Sequence, residues 1–404
     1  MVESERVGRG MTPHLAVLDG LRGIAILVVL WYHVWEWTWL APRITLFGHE
    51  LNFQFINETG FTGVDLFYFI SGFVLFYPYA RHVFEGKPLQ TLTHFVYRRF
   101  IKIVPSYYLQ LLIVTPWIVA AFSGTALLAQ YVTHVLFIHT WFRSTYGAIN
   151  GVLWTLAVEV QFYVIFPMLN WCFRRQPVLT FLGMVGVANA YRLLLGPTYM
   201  GDYVVMTQMP GFLDLFACGM MAALLFVLAR ARTDAVRWQP AFTIAAVAGF
   251  IAYGMFLKTA FNMRLIPAWQ QVWSNGHLTL LGLSFIVLTV GSCMAVGWWR
   301  WLVANPLFVF FSVISYNLYL WHQLITNFLG KHSIPFPRPE HFVDDRAWQW
   351  WFTVVAVLVS VVVASIVTYA FERPLLARGF RAVTDLFERR TKAIAPAAAK
   401  SAQP

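Results

Sequence analysis

From residue 18 to residue 372 the chain alternates between apolar runs and short polar breaks, and each run is about the ~20 residues that a helix needs to cross a bilayer. Ten such runs can be drawn, at about 18–40, 61–80, 103–122, 151–172, 178–196, 207–229, 240–258, 276–297, 305–329 and 348–372. A backbone in hydrocarbon must satisfy its own hydrogen bonds, so runs of this kind fold as helices. The expected fold is therefore all-α, a polytopic integral membrane bundle of about ten transmembrane helices. Only 12% of residues are charged, where soluble domains carry about 25%, so a soluble fold is excluded. One apolar segment, 125–142, is too short and too polar for a span and reads as an interfacial or re-entrant helix.

Ten spans put both chain ends on one side. Most of the 29 lysines and arginines, Arg22 included, then fall on that side, which the positive-inside rule makes cytoplasmic. The net charge of +11 is thus a topology signal, and no nucleic-acid partner is expected. The chain divides into a polar arm (1–17), a transmembrane domain (18–380) and a basic tail (381–404) whose Ala/Pro/Lys composition predicts disorder. The first run should stay in place as a signal-anchor span. Cys172, Cys218 and Cys293 lie far apart, have no metal-ligand spacing and are assigned to packing. Trp31, Trp35, Trp37 and Trp39 close the first span and read mainly as an interfacial belt.

Polar groups inside the spans carry the functional signal, because an ionisable side chain in a bilayer faces a cavity or a partner. Arg22 and His33 in the first run are eleven residues apart, which returns them to one helix face within roughly 20°. On the same topology His33 lies ~10 Å, Asp65 ~6 Å, Glu159 ~12 Å and His322 ~10 Å from the outer helix ends. Four ionisable groups in one layer are expected to meet in one cavity. Each has a plainer reading: packed histidines bonded to neighbouring helices for His33 and His322, a favourable helix-dipole position for Asp65, and a protonated or paired carboxyl for Glu159. At the basic face Arg22, Arg98, Arg99 and Lys102 surround the entry to the third span. Guanidinium forks suit phosphate oxygens, so a phosphorylated donor is expected there.

The strings LDGLRGIAILVVLWYH (18–33), GVDLFYFISGF (63–73), YRRFIKIVP (97–105), WTLAVEVQFYVIFP (154–167), SYNLYLWH (315–322) and FERP (371–374) occur in this order. In this the chain resembles the acyltransferase family 3 membrane proteins, which include O-antigen acetylases and macrolide acyltransferases. The resemblance implies acyl transfer, often of acetyl, from acyl-coenzyme A to a hydroxyl, commonly of a sugar. Arg22 and His33 match the first-helix pair of the family, and Arg98, Arg99 and Lys102 match its basic motif. Arginine often stands where Lys102 does, so a bidentate role is not carried over to it. Asn317 replaces a frequent serine, and no role is drawn from it.

The resulting expectation is a multi-pass enzyme of a bacterial inner membrane. Acyl-coenzyme A docks from the cytoplasm on Arg22, Arg98, Arg99 and Lys102. His33 acts as general base, and Glu159 orients it, stabilises its charge or receives its proton. Asp65, Ser71 and His322 line the cavity or bind the acceptor, which is a carbohydrate, a lipid-linked sugar or a macrolide-like molecule. No metal is required. The rival class is a proton-coupled transporter or flippase, since buried His, Asp and Glu also build proton relays. No inverted repeat or paired broken helices accompany them here.

Overall fold

The computed structural model describes residues 13–89, 91–195, 202–232 and 234–379. The arm expected at 1–17 falls mostly outside these residues, and the tail at 381–404 wholly so. In chain order the elements are α1 (Pro13–Thr38), a hairpin of β1 (Arg43–Leu46) and β2 (His49–Asn52), α2 (Gln54–Glu58), α3 (Thr62–Glu85), α4 (Leu92–Ala121) and α5 (Gly124–Val135). There follow α6 (Leu153–Arg175), α7 (Pro177–Leu195), α8 (Tyr203–Met206), α9 (Leu213–Arg232), α10 (Ala235–Met263) and α11 (Trp269–Met294). The last elements are α12 (Gly297–Val303), α13 (Pro306–Lys331) and α14 (Arg346–Ile366), which runs into a π-helical turn, Val367–Glu372. Ten of the described helices are long and apolar enough to cross a membrane: α1, α3, α4, α6, α7, α9, α10, α11, α13 and α14. They coincide with the ten runs in the sequence, and α5 is the short non-spanning helix expected after residue 124.

Three local expectations change. α4 begins at Leu92 rather than near 103, because Thr91 caps it, its hydroxyl accepting the His94 N–H at 3.3 Å. Arg98, Arg99 and Lys102 therefore sit on a helix and not in a loop. The segment 41–60 is not a plain loop but holds the hairpin and α2. Of the tryptophan cluster, Trp35 is buried and Trp37 donates to Asn327 Oδ1 on α13 at 3.0 Å, so only Trp31 and Trp39 remain outward-facing.

Two helix pairs form the spine of the bundle, α1 with α13 and α3 with α9. Membrane helices gain little from mutual apolar burial and depend on close approach at small residues. A Cβ at Gly219 would lie 1.9 Å from the Phe69 carbonyl oxygen, and one at Gly72 2.2 Å from that of Phe216. α3 and α9 therefore meet backbone to backbone. Beside them Phe162 of α6 stacks on Phe216 with ring centroids 3.8 Å apart.

A buried ion pair fastens α7 to α9. The Arg192 guanidinium donates both ways to Asp214, at 2.7 and 3.2 Å, and also to the Gly211 carbonyl at 2.9 Å. Thr279 of α11 donates to the same carboxylate at 2.6 Å. Removing one partner would leave a bare charge inside the bundle. Asp214→Ala is expected to cost about 3–5 kcal/mol, whereas Thr279→Val should cost only about 1 kcal/mol. Thermal midpoints of the purified variants in one detergent check that order.

After α5 the chain turns through a short 3-10 segment, His139–Trp141, whose His139 stacks on His134 of α5. The His134 and His139 rings are parallel within 2°, with centroids 4.2 Å apart, and both residues are buried. His134 Nδ1 donates to the Gln130 carbonyl at 2.8 Å. Burial pushes the pKa of His134 down to about 4 and that of His139 down to about 3. Both rings stay neutral in the fold but take protons once unfolded, at their ordinary ~6.5. Stability from this pair is complete above that value and is lost as pH falls toward 4. Melting midpoints measured from pH 7.5 to 4.5 are expected to drop on the acid side, and the drop should shrink in His134→Phe/His139→Phe.

Candidate active site

The packing of α1 on α13 brings two histidines together. His322 Nε2 lies 3.1 Å from His33 Nδ1, with ring centroids 4.7 Å apart at 72°. His322 Nδ1 lies 2.9 and 2.8 Å from the carbonyl oxygens of Leu318 and Tyr319. A carbonyl only accepts, so His322 carries its proton on Nδ1 and offers a lone pair at Nε2. His33 Nδ1 faces that lone pair and the Val29 carbonyl at 3.0 Å. Both are acceptors, so the His33 proton also sits on Nδ1. The consequence is a His33 Nε2 left with its lone pair, the form of imidazole that can take a proton.

His33 lines a cavity of about 380 Å³, within the range of small-ligand sites. The cavity wall contains two acids, Glu36 and Asp65, and two amides, Gln270 and Gln323. Aromatic side chains make up much of the rest, among them Tyr32, Trp154, Tyr203, Trp269 and Trp273. Asp65 is 5% exposed and makes no hydrogen bond among the described residues. Asp65 stands in the first turn of α3, where the helix dipole favours a carboxylate, and also lines the cavity. Glu36 was not singled out in the sequence. Its signal was its place three residues after His33, which puts both on one helix face.

Glu159 has other partners than the expected ones. It accepts from Ser71 Oγ at 2.6 Å and from the Tyr163 hydroxyl, and neither Glu159 nor Ser71 lines the cavity. Glu159 is five residues along α6 from Trp154, ~7.5 Å further from the cavity. The Arg99 guanidinium lies 5.5 Å from the centre of the Tyr163 ring, and its buried Nε has no hydrogen-bond partner among the described residues. The single layer read from the sequence thus resolves into two groups. His33 and Asp65 line the cavity, His322 is buried behind His33 and does not line it, and Glu159 and Ser71 lie below it with Tyr163 and Arg99.

A third group ties the basic helix to the end of the chain. Lys102 pairs with Glu372, the glutamate of the FERP string, which is buried on the π-helical turn. Asn317 donates to Glu372 and to Thr368 Oγ1, the latter at 2.9 Å. The Tyr316 hydroxyl donates to the Ile103 carbonyl at 2.6 Å. The charge of Lys102 is thereby answered inside the protein. Arg22 is half-buried and makes no hydrogen bond or ion pair among the described residues, and Arg98 is exposed.

The profile of an acyltransferase domain matches residues 15–370. The candidate membrane-bound transacylase BcsY of Komagataeibacter xylinus is 28% identical over 331 residues, which are 77% of this chain and 74% of that protein. The peptidoglycan O-acetyltransferase OatA of Listeria monocytogenes is 24% identical over 397 residues, 93% of this chain and 58% of its own length. The candidate peptidoglycan O-acetyltransferase YrhL of Bacillus subtilis is 22% identical over 385 residues, 90% of this chain and 55% of its own length. The chain spans little more than half the length of these two O-acetyltransferases. No solved structure matches.

Proposed function

Because the chain belongs to the acyltransferase domain family, we propose that it moves an acyl group, acetyl in the first instance, from acyl-coenzyme A to a hydroxyl of a carbohydrate or glycosylated acceptor. His33 is the general base of this reading. The observation that carries it is the His33–His322 pair, which leaves His33 Nε2 unprotonated at the wall of the cavity.

His33 Nε2 takes the proton of the acceptor hydroxyl as its oxygen bonds to the thioester carbonyl carbon. The carbon–sulfur bond then breaks, and His33 returns the proton to the departing thiolate. His322 does not bind the acceptor in this scheme. It positions His33, holding the tautomer in the way a carboxylate does in a hydrolase triad. Glu159 is likewise no partner of His33. With Ser71, Tyr163 and Arg99 it supports the side of the cavity from which the donor arrives. The basic face is taken as cytoplasmic, and Arg22, Arg98 and Arg99 meet the donor phosphates there. Lys102, already paired with Glu372, holds α4 in place instead.

Thiol release from purified protein supplied with acetyl-coenzyme A and envelope extract tests the scheme. His33→Ala is expected to lower turnover at least ~100-fold. His322→Ala should lower it as well, with His322→Gln retaining more, because a Gln carbonyl still accepts the His33 Nδ1–H. Equal release from wild type and His33→Ala would remove the base assignment. In a second series, Arg98→Ala/Arg99→Ala is expected to raise the donor KM roughly tenfold or more at little cost in kcat. An unchanged donor KM would remove the phosphate assignment.

A further inference from the structure

The cavity that holds His33 has an electrostatic character that the acyl-transfer chemistry does not require. Two carboxyl groups line it, Glu36 and Asp65, and no lysine or arginine is among its lining residues. The two arginines that act on these carboxyls from outside the lining, Arg264 on Glu36 and Arg192 on Asp65, are each paired with another carboxylate. Arg264 pairs with Glu58 and stacks over Trp35 and Trp269, at 4.8 and 5.9 Å from the ring centres. Arg192 is held by Asp214. Asp65, more than nine-tenths buried, makes no hydrogen bond among the described residues and faces this space. A buried carboxyl without a partner is costly, and the group that relieves it is a donor or a cation.

Much of the remaining wall is aromatic. Tyr32, Trp269 and Trp273 surround Phe61, with ring centroids 6.1, 5.7 and 6.4 Å from it. Aromatic faces attract a cation, most strongly where water is excluded. Carboxylates together with aromatic faces form the surroundings that an ammonium group prefers, and they repel phosphate or carboxylate. Glu36 lies one helical turn from His33 on the same face, ~4.5 Å along the axis. A cation held by Glu36 and Asp65 would therefore sit close to the hydroxyl that His33 deprotonates.

Resting on the acyl-transfer reading for its chemistry, the geometry points to an acceptor of a particular class: a hydroxylated amine, such as an amino sugar, bound with its protonated nitrogen between Glu36, Asp65 and the aromatic wall. The amine is a recognition handle and the neighbouring hydroxyl is the group acylated. An acceptor with an anionic substituent beside the reacting hydroxyl is rejected.

Four matched probes test this with the full-length protein in detergent: methyl glucosaminide, its N-acetyl form, methyl glucoside and methyl glucuronide. Binding is followed by tryptophan fluorescence without any donor, and turnover by thiol release with acetyl-coenzyme A. At pH 7 the free amine is expected to bind at least tenfold more tightly than its N-acetyl and neutral counterparts, and the glucuronide to bind weakest. Glu36→Gln should erase the preference for the amine over the neutral glucoside. Raising the pH above the amine pKa should erase it in wild type. Equal affinity for the amine and neutral probes, tighter binding of the glucuronide, or a preference that survives in Glu36→Gln would each overturn the proposal. Tight, Glu36-dependent amine binding without thiol release from any probe would instead sink the acyl-transfer reading and leave the cation site standing.

Discussion

Hydrocarbon offers a polar side chain no hydrogen bonds, and that constraint organises this bundle. Nearly every ionisable group on an inward helix face has found a partner on another helix. Arg192 of α7 holds Asp214 of α9, with Thr279 of α11 completing the carboxylate. Glu159 of α6 accepts hydrogen bonds from Ser71 of α3 and from Tyr163 one turn away. Lys102 of α4 and Asn317 of α13 converge on Glu372. Each pairing fixes the rotation and depth of two helices at once, which apolar packing alone leaves loosely defined. The exceptions then stand out. Among the described residues Asp65 lacks a hydrogen-bond partner and lines the cavity, and Arg22 lacks one at the opposite end of the helix that carries His33.

That division separates two chemical environments along the bundle. Around His33 the lining is acidic and aromatic. Some 16 Å away along α1, by helix rise, Arg22 lies at the basic end, where Arg98 and Arg99 of α4 also stand. A reaction joining a phosphorylated donor to an uncharged or cationic acceptor suits such a gradient. On the proposed reading each substrate would be held at the end that favours its charge, and only the thioester would have to reach the histidine. The same gradient would keep donor phosphates away from the proposed acceptor subsite, where Glu36 and Asp65 would repel them.

The α1–α13 contact is where fold and site coincide. His322 can orient His33 only because the two helices run against each other at that height, and because two backbone carbonyls of α13 dictate which nitrogen of His322 bears the proton. The π-helical turn at the end of α14 contributes from a distance, since it turns Glu372 inward to meet Asn317 on the same α13 and Lys102 on α4.

Much of this was legible in the chain. Apolar runs of bilayer length gave the ten spans, because a run of that length has one low-energy structure in hydrocarbon. The same cost of burying charge made His33, Asp65, Glu159 and His322 conspicuous among apolar neighbours. The start of α4 was missed because Arg98, Arg99 and Lys102 resemble a loop unless the Thr91 cap is weighed, and Glu36 was passed over at the polar end of its span. Partnership was beyond the sequence altogether. Depth counted from soft span boundaries is good to about a turn of ~5.4 Å, whereas a hydrogen bond is decided within tenths of an ångström. The sequence by itself determined how many helices cross and which polar residues need an answer inside the membrane. Only the tertiary structure decided that His33 is answered by His322, 289 residues away, rather than by Glu159, because that choice depends on which helices touch, at what height and in what rotation.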